Sequence, residues 1–280
     1  MGAAMTRKLV QAGHEVTVWN RSEGPVQALQ ATCDVAAFAT PAEAVLGNQF
    51  AISMLADGPT TERVLLDPAV LAALGADAVV CDMATSGVES ARRLNAVLDA
   101  AQIRFVDAPV SGSVPTIEAG QLLVMASGSA SGIAAIEPVL LAFAKRVMAL
   151  GEAGAGQAMK LAVNLVVHSL NAAVSEALAL ASAGGVEFSD SYDVFQESVI
   201  AAPFVNYKRA AFLDQSLPPA MTLALSRKDL SLINDYAQSM GIHAEVVGAA
   251  LAEVSRACES GIADRDMSAL AGFLSNGAAI

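Results

Sequence analysis

The pattern of apolar residues changes once along this chain, close to Gly156. Before this glycine, short apolar runs alternate with segments of helical apolar spacing, which is typical of β-α-β units and a mostly parallel sheet. After it, the strand pattern disappears and the apolar spacing is helical. The length of 280 residues suits two domains of roughly 100–200 residues each. The pattern therefore predicts an α/β domain followed by an all-helical domain.

We place the boundary at Gly156, which gives a Rossmann-like α/β domain over residues 1–156 and an all-α domain over 157–280, with 157–183 as the interdomain helix. The predicted strands are Glu15–Trp19, Ala51–Leu55, Ala78–Asp82, Arg104–Ala108, Leu122–Ser127 and Arg146–Leu150. The predicted helices are Thr6–Ala12, Pro25–Gln30, Pro41–Leu46, Thr60–Leu66, Glu89–Ala101, Ser131–Ala144, Gln157–Ala183, Ser189–Ile200, Phe204–Ala211, Leu225–Met240, His243–Glu259 and Met267–Phe273. Such a sheet binds ligands at the carboxyl ends of its strands.

Composition and charge argue against several classes of partner. The net charge is −12 and no basic stripe exists, whereas nucleic-acid binding needs clustered lysine and arginine. The longest apolar stretch, Met159–Ala183, contains polar residues that a membrane-spanning helix would avoid. No secretion signal is visible at the amino end. We therefore expect a cytoplasmic protein with no nucleic-acid or membrane partner.

The cysteines and histidines predict neither disulfides nor a metal site. Cys33, Cys81 and Cys258 are odd in number, far apart and not in C-x-x-C spacing, so we expect reduced thiols. The three histidines show no spacing typical of metal ligands.

Lys160 and Asn164 are the strongest candidates for catalytic residues in this sequence. They are four residues apart and would share one helical face. Apolar residues surround the pair, so both polar groups need partners other than water. An isolated K-x-x-x-N is more often a solvated surface pair, but these flanks favour a proton-transfer group beside an orienting amide.

The amino end reads as the second half of a dinucleotide-binding β-α-β unit, because a helix leads into a strand that ends in Asn20, Arg21 and Ser22. An acidic residue at this position would bind the ribose hydroxyls of NAD. Arg21 instead offers a bidentate fork for the 2′-phosphate of NADP. We therefore predict NADP as cofactor, with NAD less favoured; a solvated arginine in a surface turn is the ordinary alternative.

Four ordered motifs resemble the β-hydroxyacid dehydrogenase family, of the 3-hydroxyisobutyrate dehydrogenase and tartronate semialdehyde reductase type. The resemblance covers essentially the whole chain, and it includes a C-terminal domain like that of 6-phosphogluconate dehydrogenase. The motifs are Met1-Gly2-Ala-Ala-Met5, Asp107-Ala-Pro-Val-Ser111-Gly112-Ser113, the stretch from Gly151 to Asn164, and Lys228-Asp229-Leu230.

The resemblance implies a role for each matched position. Lys160 is the expected catalytic acid and base, with Asn164 holding it or the substrate in register. Ser111, Gly112 and Ser113 are the expected substrate loop. The implied cofactor residues are Met1, Gly2, Asn20, Arg21, Ser22, Leu55, Ala56, Thr85 and Lys228. The implied reaction is hydride transfer between NAD(P) and a small 3-hydroxy acid or its semialdehyde.

The chain departs from the family pattern at its amino end. Only Gly2 matches the glycines of G-x-G-x-x-G, and the strand that normally precedes them is absent. We expect this sequence to be an N-terminally truncated or mis-started version of a longer protein. Smaller departures are Ala84 in place of a serine and Ser113 in place of a glycine.

Two other functions stay open. An imine reductase would share the fold and NADPH, although those enzymes usually replace the lysine at position 160. A catalytically impaired dehydrogenase-like binding protein would also fit the incomplete glycine loop. The long apolar helix and alanine-rich C-terminal helices further predict a homodimer or homotetramer.

Overall fold

The structure, a computed structural model, describes residues 1–277. The backbone divides into two compact units after Lys160, the first beginning at Met1 and the second at Leu161. The division falls four residues beyond the predicted boundary, inside a long helix that begins at Ala155. The first unit is α/β and the second is helical, which confirms the predicted fold class.

The first unit contains eight strands among the described residues. They are β1 (Thr17–Val18), β2 (Ala36–Ala37), β3 (Phe50–Ser53), β4 (Val79–Asp82), β5 (Arg104–Asp107), β6 (Val110–Ser111), β7 (Leu122–Gly128) and β8 (Ala144–Ala149). The accompanying helices are α1 (Gly2–Gln11), α2 (Glu23–Gln30), α3 (Pro41–Val45), α4 (Gly58–Leu65), α5 (Pro68–Ala73), α6 (Val88–Ala100), α7 (Val114–Glu118) and α8 (Ala130–Leu140).

The main sheet has the order β3-β4-β5-β7-β6, with β8 also paired to β7. Strands β3, β4 and β5 are parallel, as predicted, and so are β7 and β8. Strand β7 is antiparallel to both β5 and β6, which the sequence did not predict. Strands β5 and β6 thus run in the same direction, and the chain reverses between β6 and β7, in the segment that contains α7.

Strands β1 and β2 form a separate two-stranded parallel sheet. Among the residues that the structure describes, strand β3 pairs with β4 and with no other strand. Burial reflects this difference: all four residues of β4 are buried, whereas only Ser53 is buried in β3. One edge of β3 therefore lacks the neighbour that covers the inner strands of the sheet.

Two apolar clusters pack on the two faces of the main sheet. Alternate residues of β4 divide between them, since Val79 and Cys81 join one cluster and Val80 joins the other. The first cluster includes residues of α1 and α8, and the second includes residues of α5 and α6. This two-sided burial is typical of parallel sheets covered by helices.

Side-chain caps set the start of several helices. Thr40 and Glu43 form a reciprocal capping box at α3, and Asp57 Oδ1 accepts a hydrogen bond of 2.8 Å from the Thr60 amide at α4. Ser129 Oγ accepts from the Gly132 amide at α8. In contrast, no side chain within residues 1–277 caps the amino end of α1, whose N-cap residue is Met1.

The second unit continues α9 (Ala155–Ala183) and adds further helices. They are α10 (Phe188–Glu197), α11 (Pro203–Leu213), α12 (Leu223–Ser239), α13 (Glu245–Ala257), a π-helical turn (Cys258–Ile262) and α14 (Ala269–Gly277). Their core includes Leu178, Tyr192 and Phe212. A buried ion pair, Lys208 Nζ to Asp266 Oδ1 at 2.7 Å, links α11 to the segment before α14.

Helix α9 is long and apolar enough to cross a membrane by length and composition alone, a test that core helices of soluble proteins also pass. Its polar residues Asn164, His168 and Asn171 are buried within the protein. Asn171 Nδ2 donates a hydrogen bond of 3.0 Å to the Met267 carbonyl. These partners favour a core helix.

Candidate active site

Two buried carboxylates mark the carboxyl ends of neighbouring strands. Asp82 ends β4 and Asp107 ends β5, and the two are partners in the parallel register. Ser53 and Ser86 donate hydrogen bonds to Asp82 over 2.7 and 2.6 Å, and Ser127 donates to Asp107 over 2.9 Å. Each carboxylate is thus solvated by protein groups, as buried charges require.

Burial controls the proton affinity of both groups. Loss of solvation raises the pKa of Asp82 to about 6, although the hydrogen bonds from Ser86 and Ser53 oppose the rise. Burial likewise raises the pKa of Asp107, against hydrogen bonds from Gln157 and Ser127. Asp82 therefore titrates closer to neutral pH than an exposed aspartate does.

Gln157, in the first turn of α9, connects these strand ends to the loop that follows β4. Its Nε2 donates to Asp107 Oδ1 over 2.8 Å and to the Ala84 carbonyl over 2.9 Å. Its Oε1 accepts from the amides of Ser86 and Gly87, each over 3.1 Å. The side chain thus satisfies all its hydrogen-bonding groups and is fully buried.

This network fixes two predicted site residues within the first unit. Thr85 lies in the loop whose flanking residues Ala84 and Ser86 bind Gln157. Lys160 lies three residues after Gln157 on the same helix, and both Thr85 and Lys160 are half-buried. Gly156 permits the close approach of the helix, because a Cβ there would lie 2.5 Å from the Met125 carbonyl oxygen.

The predicted substrate loop follows β6. Ser111 ends this strand and is half-buried, while Gly112 is exposed with a φ of +140°, which favours glycine. A Cβ at Gly112 would also meet side chains of Leu122 and Thr116 at under 3 Å. Ser113 is the N-cap residue of α7 and its hydroxyl lies 3.3 Å from Thr116 Oγ1, so it is used in the cap.

The structure brings part of the predicted cofactor set together. Gly2, Asn20 and Leu55 line one cavity in the first unit, beside the start of α1 and the ends of β1 and β3. Asn20 Nδ2 donates to the Ser22 carbonyl over 2.9 Å, which fixes the turn that carries the exposed Arg21. Among the described residues, the cavity lining does not include Met1, Arg21, Ser22, Ala56 or Thr85.

In the second unit, Asp229 is the centre of a polar cluster that contains two predicted residues. Asn164 Nδ2 donates to Asp229 Oδ2 over 2.8 Å, and Lys228 Nζ lies 3.0 Å from Asp229 Oδ1. His168 Nε2 lies 3.6 Å from Oδ2, too far for a hydrogen bond. All but Lys228 are buried.

The charge balance of this cluster favours an ionised Asp229. Burial by itself raises the pKa of Asp229, but His168 and the Lys228 ammonium outweigh it and the pKa lies below its ordinary value. The carboxylate therefore accepts the Asn164 amide as a charged group, which strengthens that hydrogen bond.

Several of these residues were not predicted from the sequence as site residues: Gln157, Asp82, Asp229 and His168. Gln157 and His168 each interrupt the apolar pattern of α9, which was the available signal. The partners that give them a role are distant in sequence and so were not visible.

Metal ligation finds no support within residues 1–277, where no group of three or more His, Cys, Asp or Glu side chains is placed to hold an ion. All three cysteines are free thiols; Cys81 and Cys258 are buried and Cys33 is half-buried.

Two family models together match nearly the whole chain. The NAD binding domain of 6-phosphogluconate dehydrogenase matches residues 1–151. The NAD-binding domain of NADP-dependent 3-hydroxyisobutyrate dehydrogenase matches residues 154–274.

Known proteins agree with these models. Glyoxylate/succinic semialdehyde reductase 1 of Arabidopsis thaliana is 31% identical over 275 residues, covering 96% of this chain and 93% of that protein. The structure of Mycobacterium tuberculosis 3-hydroxyisobutyrate dehydrogenase with L-serine is 31% identical, with a TM-score of 0.86 over 98% of this chain and 95% of that one. The Salmonella typhimurium 3-hydroxyisobutyrate dehydrogenase structure is 25% identical, with a TM-score of 0.90 over 97% and 95% of the two chains. This chain belongs to the β-hydroxyacid dehydrogenase family of nicotinamide-dependent oxidoreductases.

Proposed function

We propose that this protein transfers hydride between a nicotinamide dinucleotide and a small 3-hydroxy acid or its semialdehyde, with Lys160 as general acid and base. The observation that carries the proposal is the Gln157 network. It ties the loop of Thr85 and the helix turn that leads to Lys160 to one buried carboxylate, Asp107. A rigid link of this kind keeps a cofactor-facing loop and a proton-transfer group in a constant relation, which catalysis requires.

The residues at the strand ends fit a dinucleotide. No described side chain caps the amino end of α1, so its first amides are available to a phosphate group. Gly2 and Leu55 supply small and apolar walls beside them, and Asn20 adds a polar group. When bound, the cofactor accepts or supplies hydride at the nicotinamide ring.

Lys160 moves the proton that accompanies this hydride. In the oxidative direction the uncharged amine takes the proton of the substrate hydroxyl, and in the reductive direction the ammonium returns it to the oxygen. Asn164, one turn further along α9, is held by Asp229 and keeps its orientation relative to the helix. The half-buried position of Lys160 limits exchange of this proton with bulk water.

The substrate class follows from the loop after β6. Ser111 and the exposed backbone at Gly112 offer a hydroxyl and amides to a carboxylate. The names of the relatives, a glyoxylate/succinic semialdehyde reductase and a 3-hydroxyisobutyrate dehydrogenase, support small acids with an aldehyde or hydroxyl group nearby.

Arg21 is the basis for proposing a preference for NADP. It follows β1 and is exposed beside the turn fixed by Asn20. A guanidinium group at this position suits a 2′-phosphate better than a ribose diol. The family model that matches residues 154–274 is described for an NADP-dependent dehydrogenase, which points the same way.

A homodimer or homotetramer is the proposed assembly. Helix α9 exposes apolar side chains at Met159, Val166 and Leu180, the last to 78%. Exposed apolar surface of this kind is typical of subunit interfaces. A cytoplasmic location remains a prediction from the sequence.

The test is a turnover assay of the purified chain with NADPH or NADP and a panel of 3-hydroxyisobutyrate, succinic semialdehyde and glyoxylate. We expect turnover of at least one compound and faster reaction with the phosphorylated cofactor. Absence of hydride transfer across the panel, from a folded protein that binds the cofactor, would contradict the proposed substrate class.

A further inference from the structure

His168 lies on the face of α9 that carries Asn164. The two residues are four apart in this helix, and side chains at that spacing lie one above the other. His168 is 3% exposed and Asn164 is 6% exposed, so both side chains are buried in the second unit. The imidazole of His168 is therefore shielded from water, and its ring nitrogens depend on groups of the protein for partners.

Neither ring nitrogen of His168 has a hydrogen-bond partner among the residues that the structure describes. An imidazole carries at least one N–H group, and a buried donor without an acceptor costs stability. An apolar side chain of similar size would fill the same space without this cost. The unpartnered nitrogens therefore indicate that His168 has a role other than packing.

The charged group that lies against His168 is the carboxylate of Asp229, on α12. His168 Nε2 is 3.6 Å from Asp229 Oδ2, the same oxygen that accepts a hydrogen bond of 2.8 Å from Asn164. Lys228 acts on the other oxygen, since its Nζ lies 3.0 Å from Asp229 Oδ1. The carboxylate is thus attracted from two sides, by Lys228 at Oδ1 and by His168 and Asn164 at Oδ2.

Burial strengthens the attraction between His168 and Asp229. The low local dielectric of a buried site increases the interaction between a ring N–H group and a carboxylate, even beyond hydrogen-bonding distance. Burial raises the pKa of Asp229, but His168 and Lys228 together bring it below its ordinary value. Asp229 therefore stays ionised beside the imidazole and accepts the Asn164 amide as a charged group.

We propose that His168 is a positioning residue for the proposed hydride transfer, an inference that rests on that proposed function. His168 holds Asp229 Oδ2 against the attraction of Lys228 and so keeps the Asn164 amide in one orientation. Without the imidazole, the carboxylate turns towards Lys228 and Asn164 loses its acceptor. His168 acts on the reaction through Asp229 alone.

Four variants separate this role from packing. His168→Leu removes the ring nitrogens and keeps a side chain of similar size. His168→Gln retains an N–H donor at about the position of Nε2, whereas His168→Asn carries the same amide one methylene short of it. Ser191→Ala, in α10, is the matched control, because it removes another buried polar atom that has no hydrogen-bond partner within residues 1–277.

The first readout is kcat with NADPH or NADP and a panel compound that reacts. We expect kcat to fall by about tenfold in His168→Leu and in His168→Asn, because a small displacement of a positioned group slows the chemical step. His168→Gln should stay within about threefold of the wild type, and Ser191→Ala should match it. Rescue by glutamine and not by asparagine requires a donor at the position of Nε2, which a packing role does not.

The second readout does not need turnover. It is the rate at which the side-chain amide protons of Asn164 exchange with solvent, measured by NMR. The hydrogen bond to Asp229 protects these protons, and we expect exchange to be about tenfold faster in His168→Leu and His168→Asn but close to the wild-type rate in His168→Gln. If the wild type turns over none of the panel, the proposed function fails, and this exchange rate alone decides whether His168 holds Asp229.

Three results would overturn the proposal. The first is a wild-type kcat in His168→Leu. The second is an equal loss of kcat in the leucine, asparagine and glutamine variants, as expected of a residue needed only for packing. The third is an exchange rate of the Asn164 amide that is the same in the wild type and in His168→Leu. If His168→Leu does not fold, the two amide variants decide, and an equal kcat in both would overturn the proposal.

Discussion

Gln157 donates a hydrogen bond of 2.8 Å to Asp107, across 50 residues of sequence and between the first turn of α9 and the end of β5. The Gln157 backbone amide adds a second bond to the same carboxylate, over 3.0 Å. These two hydrogen bonds fix the start of the helix that carries Lys160, together with the hydrogen bonds of Gln157 to Ala84, Ser86 and Gly87.

Replacing Gln157 by leucine should destabilise the first unit. The change leaves the amides of Ser86 and Gly87 without their acceptor and Asp107 without one of its donors. We expect a loss of about 2–4 kcal/mol in the free energy of unfolding, measured by urea denaturation, together with reduced kcat. The exposed Gln121→Leu is the matched control and should change stability by less than about 0.5 kcal/mol. Equal stability of the two variants would mean that the Gln157 hydrogen bonds do not stabilise the first unit.

Asp82 should make stability depend on pH. The folded pKa of about 6 lies above the value of about 3.9 in an unfolded chain, so the folded state binds the proton more tightly. The ionised carboxylate therefore costs stability above pH 6, and the cost disappears below about pH 4. We therefore compare the free energy of unfolding of the wild type with that of Asp82→Asn, measured by chemical unfolding at each pH. The wild-type value minus the variant value should fall by roughly 2–3 kcal/mol from pH 4 to pH 7. A difference that does not change with pH would refute this assignment.

Asn164 and Asp229 should act as one unit. Asn164→Ala and Asp229→Asn each disturb the same hydrogen bond, so we expect kcat to fall by about 10–100-fold in either variant. The double variant should be little worse than the poorer single variant, because coupled residues are not additive. Asp235→Asn, an exposed carboxylate on α12, is the control and should retain wild-type kcat. Additive losses in the double variant would show that the two residues work independently.

Arg21 should set the choice between the two nicotinamide cofactors. Arg21→Asp replaces the phosphate-binding group by a carboxylate that repels phosphate and accepts hydrogen bonds from ribose hydroxyls. We expect the ratio of kcat/KM for NADPH over NADH to fall by about 10–100-fold. Arg256→Asp, an exposed change in the second unit, should leave the ratio unchanged. An unaltered ratio in Arg21→Asp would place cofactor selection elsewhere.

Much of the fold was predictable because apolar residues recur at a regular spacing in the longer helices and strands. The sequence predicted a helix over Gln157–Ala183, and the structure has α9 over Ala155–Ala183. The apolar run at Ala78–Asp82 likewise became β4. Strands β2 and β6 contain two residues each and show no alternation, so they were missed. Without β6, the antiparallel pairing of β7 was not predictable.

The candidate site was predictable only in part. Lys160 and Asn164 stood out because polar residues are unusual in an apolar helix. Gln157 carries the same signal, but its role depends on loops and strand ends 50 to 73 residues away. The partner of Asn164 was not predictable either, since Asp229 is 65 residues further along the chain. Long-range contacts of this kind are set by the fold.

The central claim is that Lys160 transfers the proton during nicotinamide-dependent turnover. The most direct measurement is kcat for the NADPH-dependent reduction of succinic semialdehyde, or of another panel compound that reacts. It is made on the wild type, on Lys160→Ala and on the exposed control Lys145→Ala. Loss of the acid and base should lower kcat by about 10²–10⁴-fold in Lys160→Ala with NADPH affinity unchanged, and Lys145→Ala should match wild type. Full turnover by Lys160→Ala would contradict the account.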